Sequence, residues 1–438
     1  MQFNLGNSYT LVTNATPEQE ALLHQWCNKE YEYYGLDFSQ KPPRRMKMVS
    51  KLPYFKYNKF PSGWTGKFLQ RLRKDPAHCN DITFKDVRTK AKNGAFLVGM
   101  TGKLNVPMLR DYQERALKQS LKSSRGIIHH ATGAGKTVVT AALLSEIGLP
   151  SLVIVPTLNL LLQTAEDLKG FLGEEHVGEI GEGVFNPKLF TVATVQSLWS
   201  KIKRNDEELS KLFKTIDVLC IDEAHHINVA GKNKIQNTYF QIAMMTDCFY
   251  KFGLTATPGD PESLERELLE GATGRVIDHV SSSELIKRGL LTRPEIQMYK
   301  ITPPQRYSDW QAAYKQNILR NARRNAQIVR LAKQYSAEDK SVLITVTRVD
   351  EHGGLLTDMI EDAVFMSGKT PADERKQILK DFGNKKIKIL ISTVVNEGVN
   401  IPSMDVIIMA GGGKSNKQTV QRVGRALRKS EGKSKAMI

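Results

Sequence analysis

The sequence predicts an α/β protein with two tandem, mostly parallel sheets, preceded by a small basic α/β region. Three observations carry that reading. From about residue 108, short β-branched or apolar runs alternate with helical stretches. The alternation occurs twice, in two separate series. The first 105 residues follow neither series and concentrate positive charge. Parallel strands covered by helices on both faces read as short continuous apolar runs, and both series have that character. At 438 residues the chain is also too long for one ordinary core, so several domains are expected.

In chain order, an amphipathic helix is expected over 17–34, short strands near 45–49 and 53–57, a turn at FPSGW (60–64) and a basic helix near 65–74. The first strand series is GIIHH (126–130), SLVIVP (151–156), LFTVAT (189–194), IDVLCID (216–222) and KFGLTAT (251–257). These runs are too short for helices, and several end in small or turn residues. Helices are expected between them, for example over 138–147 and 159–171. Pro294, Pro303 and Pro304 mark a connection. The second series is SVLITV (341–346), DAVFMSG (362–368), IKILIST (387–393) and MDVIIMAG (404–411). The domains expected are 1–105, 106–297 and 298–438.

Composition excludes several classes. Apolar residues make up 40% and charged residues 25%, as in globular proteins. No apolar run reaches the roughly 18–20 residues of a membrane helix, and the nearest, 149–162, is interrupted by Pro150, Pro156 and Asn159. MQFNLGNSYT lacks the pattern of a secretory leader, so a cytoplasmic location is expected. The four cysteines are far apart, with no metal-binding spacing, and read as reduced thiols. The formal charge of +17 favours a polyanionic partner. Between residues 41 and 105 there are 16 Lys and Arg against 3 Asp and Glu. Lys51, Lys56, Lys59 and Lys67 lie there among Tyr54, Phe55, Tyr57, Phe60, Trp64 and Phe68. Those aromatics suit either a base-stacking surface or a small core beneath a charged face. Arg320, Arg323, Arg324 and Arg330 are expected on a solvated helix face.

HATGAGKT (130–137) follows an expected strand and opens an expected helix, the context of a phosphate-binding loop. Thr132, Gly133, Ala134 and Gly135 would wrap phosphate oxygens with backbone amides. Lys136 would reach the β- and γ-phosphates of ATP, and Thr137 would ligate Mg²⁺. His130 stands where the short signature has its first glycine. VLCIDEAHH (218–226) delivers two acids at a strand end beside that loop. Asp222 would hold Mg²⁺ through water, and Glu223 would deprotonate the attacking water.

With DEAH literally present at 222–225, and GAGKT, LTATP (254–258) and QRVGRALR (421–428) in order, the chain resembles the superfamily 2 helicases. The resemblance runs from about residue 107 to 428. It implies two RecA-like motor domains with ATP and Mg²⁺ in the cleft between them. In LRDYQ (109–113), Arg110 and Gln113 match the adenine-recognition motif. VPTLNLLLQ (155–163) and VATVQSL (192–198) match nucleic-acid motifs of the first motor domain, which implies contacts from Thr157, Thr194 and Gln196. In TVTRVDEHGGLL (345–356) and STVVNEGVNIP (392–402), the resemblance puts Thr347, Arg348 and Thr393 on the backbone. It puts Glu397 and Gly398 toward the cleft. Asn400 stands where many relatives carry Asp.

Thr255 and Thr257 would link hydrolysis to domain movement, and His225 would sense the other domain. His226 stays open between packing and function. Gln421, Arg425 and Arg428 form the last motif, in which the two arginines would reach the γ-phosphate as a finger. ELIKRGLLTRPEI (284–296) and the EHGGLL turn resemble one branch of the superfamily. That branch holds phage branch-migration helicases, the repair helicase of transcription factor IIH and type III restriction motors. The resemblance therefore implies a DNA helicase on forked or branched DNA, working as a monomer in a bacterial or phage-infected cytoplasm. The basic N-terminal region would hold the duplex through Lys56, Lys59 and Lys67. An RNA helicase, or an ATP-gated translocase without strand separation, shares the same motifs.

Overall fold

The structure is a computed structural model that describes residues 1–37, 44–75, 82–89, 108–227, 238–303, 305–394, 404–412, 416–429, 433 and 435–438. Its contacts divide the chain into two compact units, Met1–His130 with Gly135–His279, and Ala131–Ala134 with Val280–Ile438. The expected boundary near residue 105 lies outside the described residues. The other division falls at Val280, before the expected position near 297.

The first unit opens with β1 (Gln2–Leu5), β2 (Tyr9–Thr13) and α1 (Pro17–Cys27). Thr16 and Gln19 form a reciprocal cap at the start of α1, and Pro17 occupies its first turn, where the missing N–H costs nothing. The helix stops at Cys27, short of the expected residue 34. The segment beyond it is β3 (Asn28–Asp37), paired antiparallel over ten residues with β4 (Arg44–Pro53). Tyr31, Tyr33 and Tyr34 favour strand, and a long ladder partner decides the competition. Beyond the hairpin come β5 (Lys59–Pro61), α2 (Thr65–Arg73) and β6 (Thr83–Asp86). Strands β5, β2, β1 and β6 form a sheet in that order.

The aromatics of this region face inward, against the reading of them as a stacking surface. Tyr54, Phe55, Phe60, Trp64 and Phe68 are all at least 93% buried. Their rings meet edge-on, with Phe3–Phe60 centroids 5.4 Å apart and Phe60–Phe68 5.0 Å apart. Only Tyr57 of the set is exposed, with the Lys56 ammonium 4.9 Å from its ring. The region shares one continuous core with the strand series that follows, and Tyr54 reaches Phe240 at 5.3 Å.

That series begins with α3 (Asp111–Ser123), β7 (Arg125–His130), α4 (Lys136–Ile147), β8 (Ser151–Val155) and α5 (Leu158–Leu172). It continues through β9 (Val177–Gly181), β10 (Val184–Asn186), β11 (Phe190–Thr194), α6 (Val195–Lys203), α7 (Glu207–Thr215) and β12 (Val218–Asp222). It ends with α8 (Thr238–Met245), β13 (Tyr250–Thr255), α9 (Leu264–Thr273) and β14 (Val276–Val280). The sheet order is β10-β9-β11-β8-β12-β13-β7-β14, and β9, β11, β8, β12, β13 and β7 run parallel. Alternate residues feed two cores. Ile127, Leu152, Ile154, Leu219 and Ile221 join the core shared with the N-terminal region. Ile128, Val153, Val155, Val218 and Cys220 join the core on the other face. Double-sided burial explains why these strands read as unbroken apolar runs.

The second unit contains α10 (Ser282–Lys287), β15 (Arg293–Glu295), α11 (Trp310–Tyr314), α12 (Ala322–Ala337), β16 (Val342–Thr345) and α13 (Leu355–Met359). It continues with β17 (Ala363–Met366), α14 (Ala372–Gly383), β18 (Ile389–Ser392), β19 (Val406–Met409), α15 (Asn416–Ala426) and β20 (Lys435–Met437). Its sheet order is β15-β20-β19-β16-β18-β17, parallel through all of its recorded pairs. All four strands expected here are present. The arginine-rich helix starts at Ala322, so Arg320 precedes it. Arg323 and Arg330 are exposed as expected, whereas Arg324 turns inward and donates to the carbonyl of Ala410 at 2.7 Å. Among the described residues, no helix is long and apolar enough to cross a membrane.

Candidate nucleotide and nucleic-acid sites

Strand β7 delivers the chain into the glycine loop, and α4 starts at Lys136 directly after it. Gly133 and Gly135 take φ of 85° and 79°, a left-handed backbone that disfavours a side chain. A Cβ on Gly135 would also lie 2.6 Å from Gln113 Nε2. Gln113 is thus packed against the loop from the first turn of α3. It is 4% exposed, and its Oε1 accepts from the Arg110 N–H at 2.9 Å. Arg110 in turn donates from Nη1 to the Tyr112 hydroxyl at 3.0 Å. Gln113 of the expected adenine motif therefore meets the loop expected to hold the phosphates, and the Arg110 backbone is bonded to Gln113.

Strand β12 carries Asp222 to its carboxyl end, beside β13 and β8. Glu223 follows at φ 45°, a left-handed conformation that costs a non-glycine residue free energy and that recurs at functional sites. The Lys136 ammonium lies 3.9 Å from Glu223 Oε1, with both side chains largely buried. Burial pushes the Asp222 carboxyl above its ordinary range, and neighbouring Glu223 adds to this, while Lys136 pulls it back. Two buried carboxylates facing one lysine leave excess negative charge, which a divalent cation would neutralise. Thr137 sits in the first turn of α4, so the donor set is a hydroxyl and a carboxylate, with phosphate oxygens to complete it. Among the described residues, no group of three or more His, Cys, Asp or Glu side chains is placed to hold a metal ion.

Glu223 is also linked onward. His225 Nδ1 lies 3.3 Å from Glu223 Oε2 and 3.1 Å from Thr255 Oγ1. Thr255 accepts from the Thr257 N–H at 3.1 Å. The DEAH acid and the LTATP threonines thus form one chain of contacts. His226 stacks against Tyr239 at 5.7 Å with a 14° interplanar angle, which favours its packing role.

Sequence reasoning missed a buried cluster beneath the loop. His130 Nε2 meets Asp278 Oδ2 at 2.7 Å, and Arg115 holds the same carboxylate at 2.6 and 3.3 Å. Burial alone would raise the Asp278 carboxyl, but bonds from His130 and Arg115 overcome it and hold it below its usual range. The signal available was His130 itself, a histidine in a glycine's place. It fits because its side chain turns into the core to meet Asp278.

The expected nucleic-acid contacts of the first unit gather at the carboxyl ends of the adjacent strands β8 and β11. Thr157 caps α5 and Thr194 caps α6, each hydroxyl accepting a backbone N–H. Gln196 donates from Nε2 to the carbonyl of Pro156 at 2.9 Å, tying the two loops together. Lys56 and Lys59 are exposed, but Lys67 is paired with Glu267 Oε1 at 2.9 Å, and that ion pair competes with a phosphate contact. In the second unit, Thr347 and Arg348 are exposed just beyond the carboxyl end of β16. Thr393 follows β18, its N–H donating to Met366 O at 3.3 Å. Arg425 lies in the last turn of α15, and Arg428 follows just beyond it. Glu397, Gly398 and Asn400 lie outside the described residues, as does the side chain of Gln421.

Comparison with known proteins follows the same division. Residues 107–260 match the family of the type III restriction enzyme res subunit, and residues 313–430 match the helicase conserved C-terminal domain. The DNA 3'-5' translocase XPB2 of Sulfurisphaera tokodaii is 29% identical over 363 residues, covering 74% of this chain and 79% of that protein. The ATP-dependent DNA helicase uvsW of Enterobacteria phage T4 is 24% identical over 347 residues, covering 75% of this chain and 67% of that one. Across the curated relatives it matches, the chain spans from about half to about four fifths of their length. A solved structure, the ATP-dependent Type ISP restriction-modification enzyme LlaBIII bound to DNA, shares the fold with a TM-score of 0.57. Its identity is 17%, over 76% of this chain and 27% of that one. Both motor sheets, the ordered motifs and these matches agree, and the chain belongs to the superfamily 2 helicases.

Proposed function

We infer that the protein is an ATP-dependent DNA helicase or translocase that acts on forked or branched DNA. The observation that carries the ATPase reading is the line Lys136, Glu223, His225 and Thr255, four residues in successive contact at 3.9, 3.3 and 3.1 Å. Lys136 holds the β- and γ-phosphates, and the Gly133 and Gly135 backbone wraps them with Thr132 and Ala134. Gln113 and Arg110 read the adenine. Glu223, held beside Lys136 with little water around it, accepts the proton of the attacking water. Thr137 and Asp222 would hold Mg²⁺, which would supply neutralisation of the phosphate charge. Arg425 and Arg428, with Gln421 and Gly398, complete the site as the arginine finger motif when the motor closes. His225 passes the state of Glu223 to Thr255, which is how hydrolysis is coupled to movement.

DNA lies across Thr157, Thr194 and Gln196 and across Thr347, Arg348 and Thr393, held by phosphate contacts. The curated relatives named above are described as acting on DNA, which supports DNA over RNA. The preference for branched substrates rests on the resemblance of ELIKRGLLTRPEI and EHGGLL to phage branch-migration enzymes, and on the basic N-terminal region. Lys56 and Lys59 are its exposed duplex contacts. One chain carries both motor repeats, so a monomer suffices. A phage relative supports a bacterial or phage-infected cytoplasm.

ATP hydrolysis measured with forked DNA, linear duplex, single strands and RNA tests this reading, together with unwinding of the same fork. Forked DNA should stimulate most, and Lys136→Ala should abolish the activity. Stimulation by RNA alone, or a normal rate in the lysine variant, defeats the reading.

A further inference from the structure

The second unit carries an aromatic feature that none of the motifs includes. Trp310 and Tyr314 are the first and last residues of α11, one turn apart, their rings stacked with centroids 5.1 Å apart and 20° between planes. Trp310 is 65% exposed, although a tryptophan is ordinarily highly buried. One of its faces therefore rests on Tyr314, and the other meets solvent.

Tyr314 is held on two further sides. Its hydroxyl bonds to the hydroxyl of Thr347, in the motif just beyond β16. The backbone of Gly412 lies against its ring so closely that a Cβ there would sit 2.6 Å from Tyr314 Cε2. The chain departs from regular helix at both ends of this contact. Lys315–Leu319, directly after Tyr314, and Val349–Gly354, directly after Arg348, are π-helical turns. Such turns are rare and cluster at functional sites. Between residues 305 and 330 there are six Lys and Arg against one acid, Asp309.

We propose that Trp310, backed by Tyr314, is a stacking platform for a nucleobase of single-stranded DNA whose backbone passes Thr347. An i,i+4 aromatic pair adds a small stabilisation to a helix, and that accounts for the inner face of Trp310, not the outer one. The outer face is flat, polarisable and fixed by a braced neighbour, which is what base stacking without sequence preference requires. Pinning Tyr314 to the Thr347 hydroxyl sets the platform's distance from the expected phosphate contact.

This proposal rests on the DNA reading above, and the experiment separates the two. The full chain is titrated with an oligothymidylate single strand, and with the same strand carrying abasic positions, while tryptophan fluorescence and affinity are followed. Trp310→Ala should weaken binding to the intact strand on the order of tenfold. It should weaken binding to the abasic strand little, because only the intact strand has bases to stack. Trp310→Phe should restore most of the affinity and remove the DNA-dependent quenching. Equal affinity of Trp310→Ala and the unaltered chain for the intact strand overturns the platform alone. An equal loss on both strands also overturns it, because a merely structural defect would act that way. No binding of either strand by the unaltered chain overturns the platform and the DNA reading together.

Discussion

Glu223 combines a strained backbone, a lysine neighbour and a histidine neighbour, and each has a separate consequence. Its left-handed φ of 45° falls directly after the last residue of β12. The Lys136 ammonium lies 3.9 Å from one of its oxygens, and His225 Nδ1 lies 3.3 Å from the other. Replacing the carboxylate with an amide keeps the shape and removes the proton acceptor. Glu223→Gln should therefore bind ATP nearly normally while hydrolysis falls by about 10²-fold or more, in the range of a lost general base. Nucleotide affinity by fluorescence titration, beside single-turnover hydrolysis, checks this. A parallel loss of binding would assign Glu223 to holding the loop instead. At this scale the sequence was informative because the chemistry needs particular residue types at fixed spacing, as in GAGKT and DEAH. It was silent on Asp278, which lies 148 residues from His130 and meets it only through the folding of β14 beside β7.

At the scale of elements, the helices and buried strands of both series were legible because burial on two faces leaves an unmistakable apolar run. The hairpin of β3 and β4 was legible only in its second strand, where a strand was expected over 45–49. Its first strand continues the polar and aromatic mixture of α1, and only a ten-residue partner distinguishes the two outcomes. The β9–β10 hairpin was missed for a different reason. Its turn is Glu182–Gly183, both at positive φ, and a glutamate there carries no turn signal of its own.

The N-terminal sheet was expected to stand apart, yet it is fastened to α9. Trp64 donates from Nε1 to the carbonyl of Glu267 at 2.7 Å, and Lys67 pairs with the same residue's carboxylate. Gly63 approaches so closely that a Cβ would lie 1.9 Å from Glu270 O. That oxygen belongs to helix backbone and cannot give way. Gly63→Val should therefore pull the turn at Ser62–Trp64 off α9, exposing the Trp64 indole. The measurable results are a red-shifted tryptophan emission and an unfolding free energy lower by about 1–3 kcal/mol, the usual cost of overpacking. An unshifted spectrum and unchanged stability would mean that the N-terminal region is not seated on α9.

At the scale of the whole molecule, each unit buries an imidazole in its neutral form, and that makes folding sensitive to mild acid. His129 in the first unit is lowered to about 4 by burial and then by neighbouring His279. His352 in the second is lowered to about 4 by burial and then by Arg324. Unfolded, both would titrate near 6.5. Above that pH neither form is protonated, so neither histidine affects stability. As the pH falls from 6.5 towards 4, the unfolded chain takes up protons that the folded chain refuses, and stability is lost through that window. Carboxylates held below their usual range, such as Asp278, act only at lower pH, so the two effects separate. His352 is fully buried and lies 3.3 Å from Asn325 Oδ1, a contact a glutamine amide can keep as donor. His352→Gln should then flatten the pH dependence of the second unit while leaving that of the first. Hydrogen exchange of the β16 and β7 amides between pH 7.5 and 5 reads the two units separately. With the intrinsic exchange rate removed, protection at β16 should fall with pH in the unaltered chain and hold nearly constant in the variant. An identical fall in both would assign the acid sensitivity of that unit to other groups.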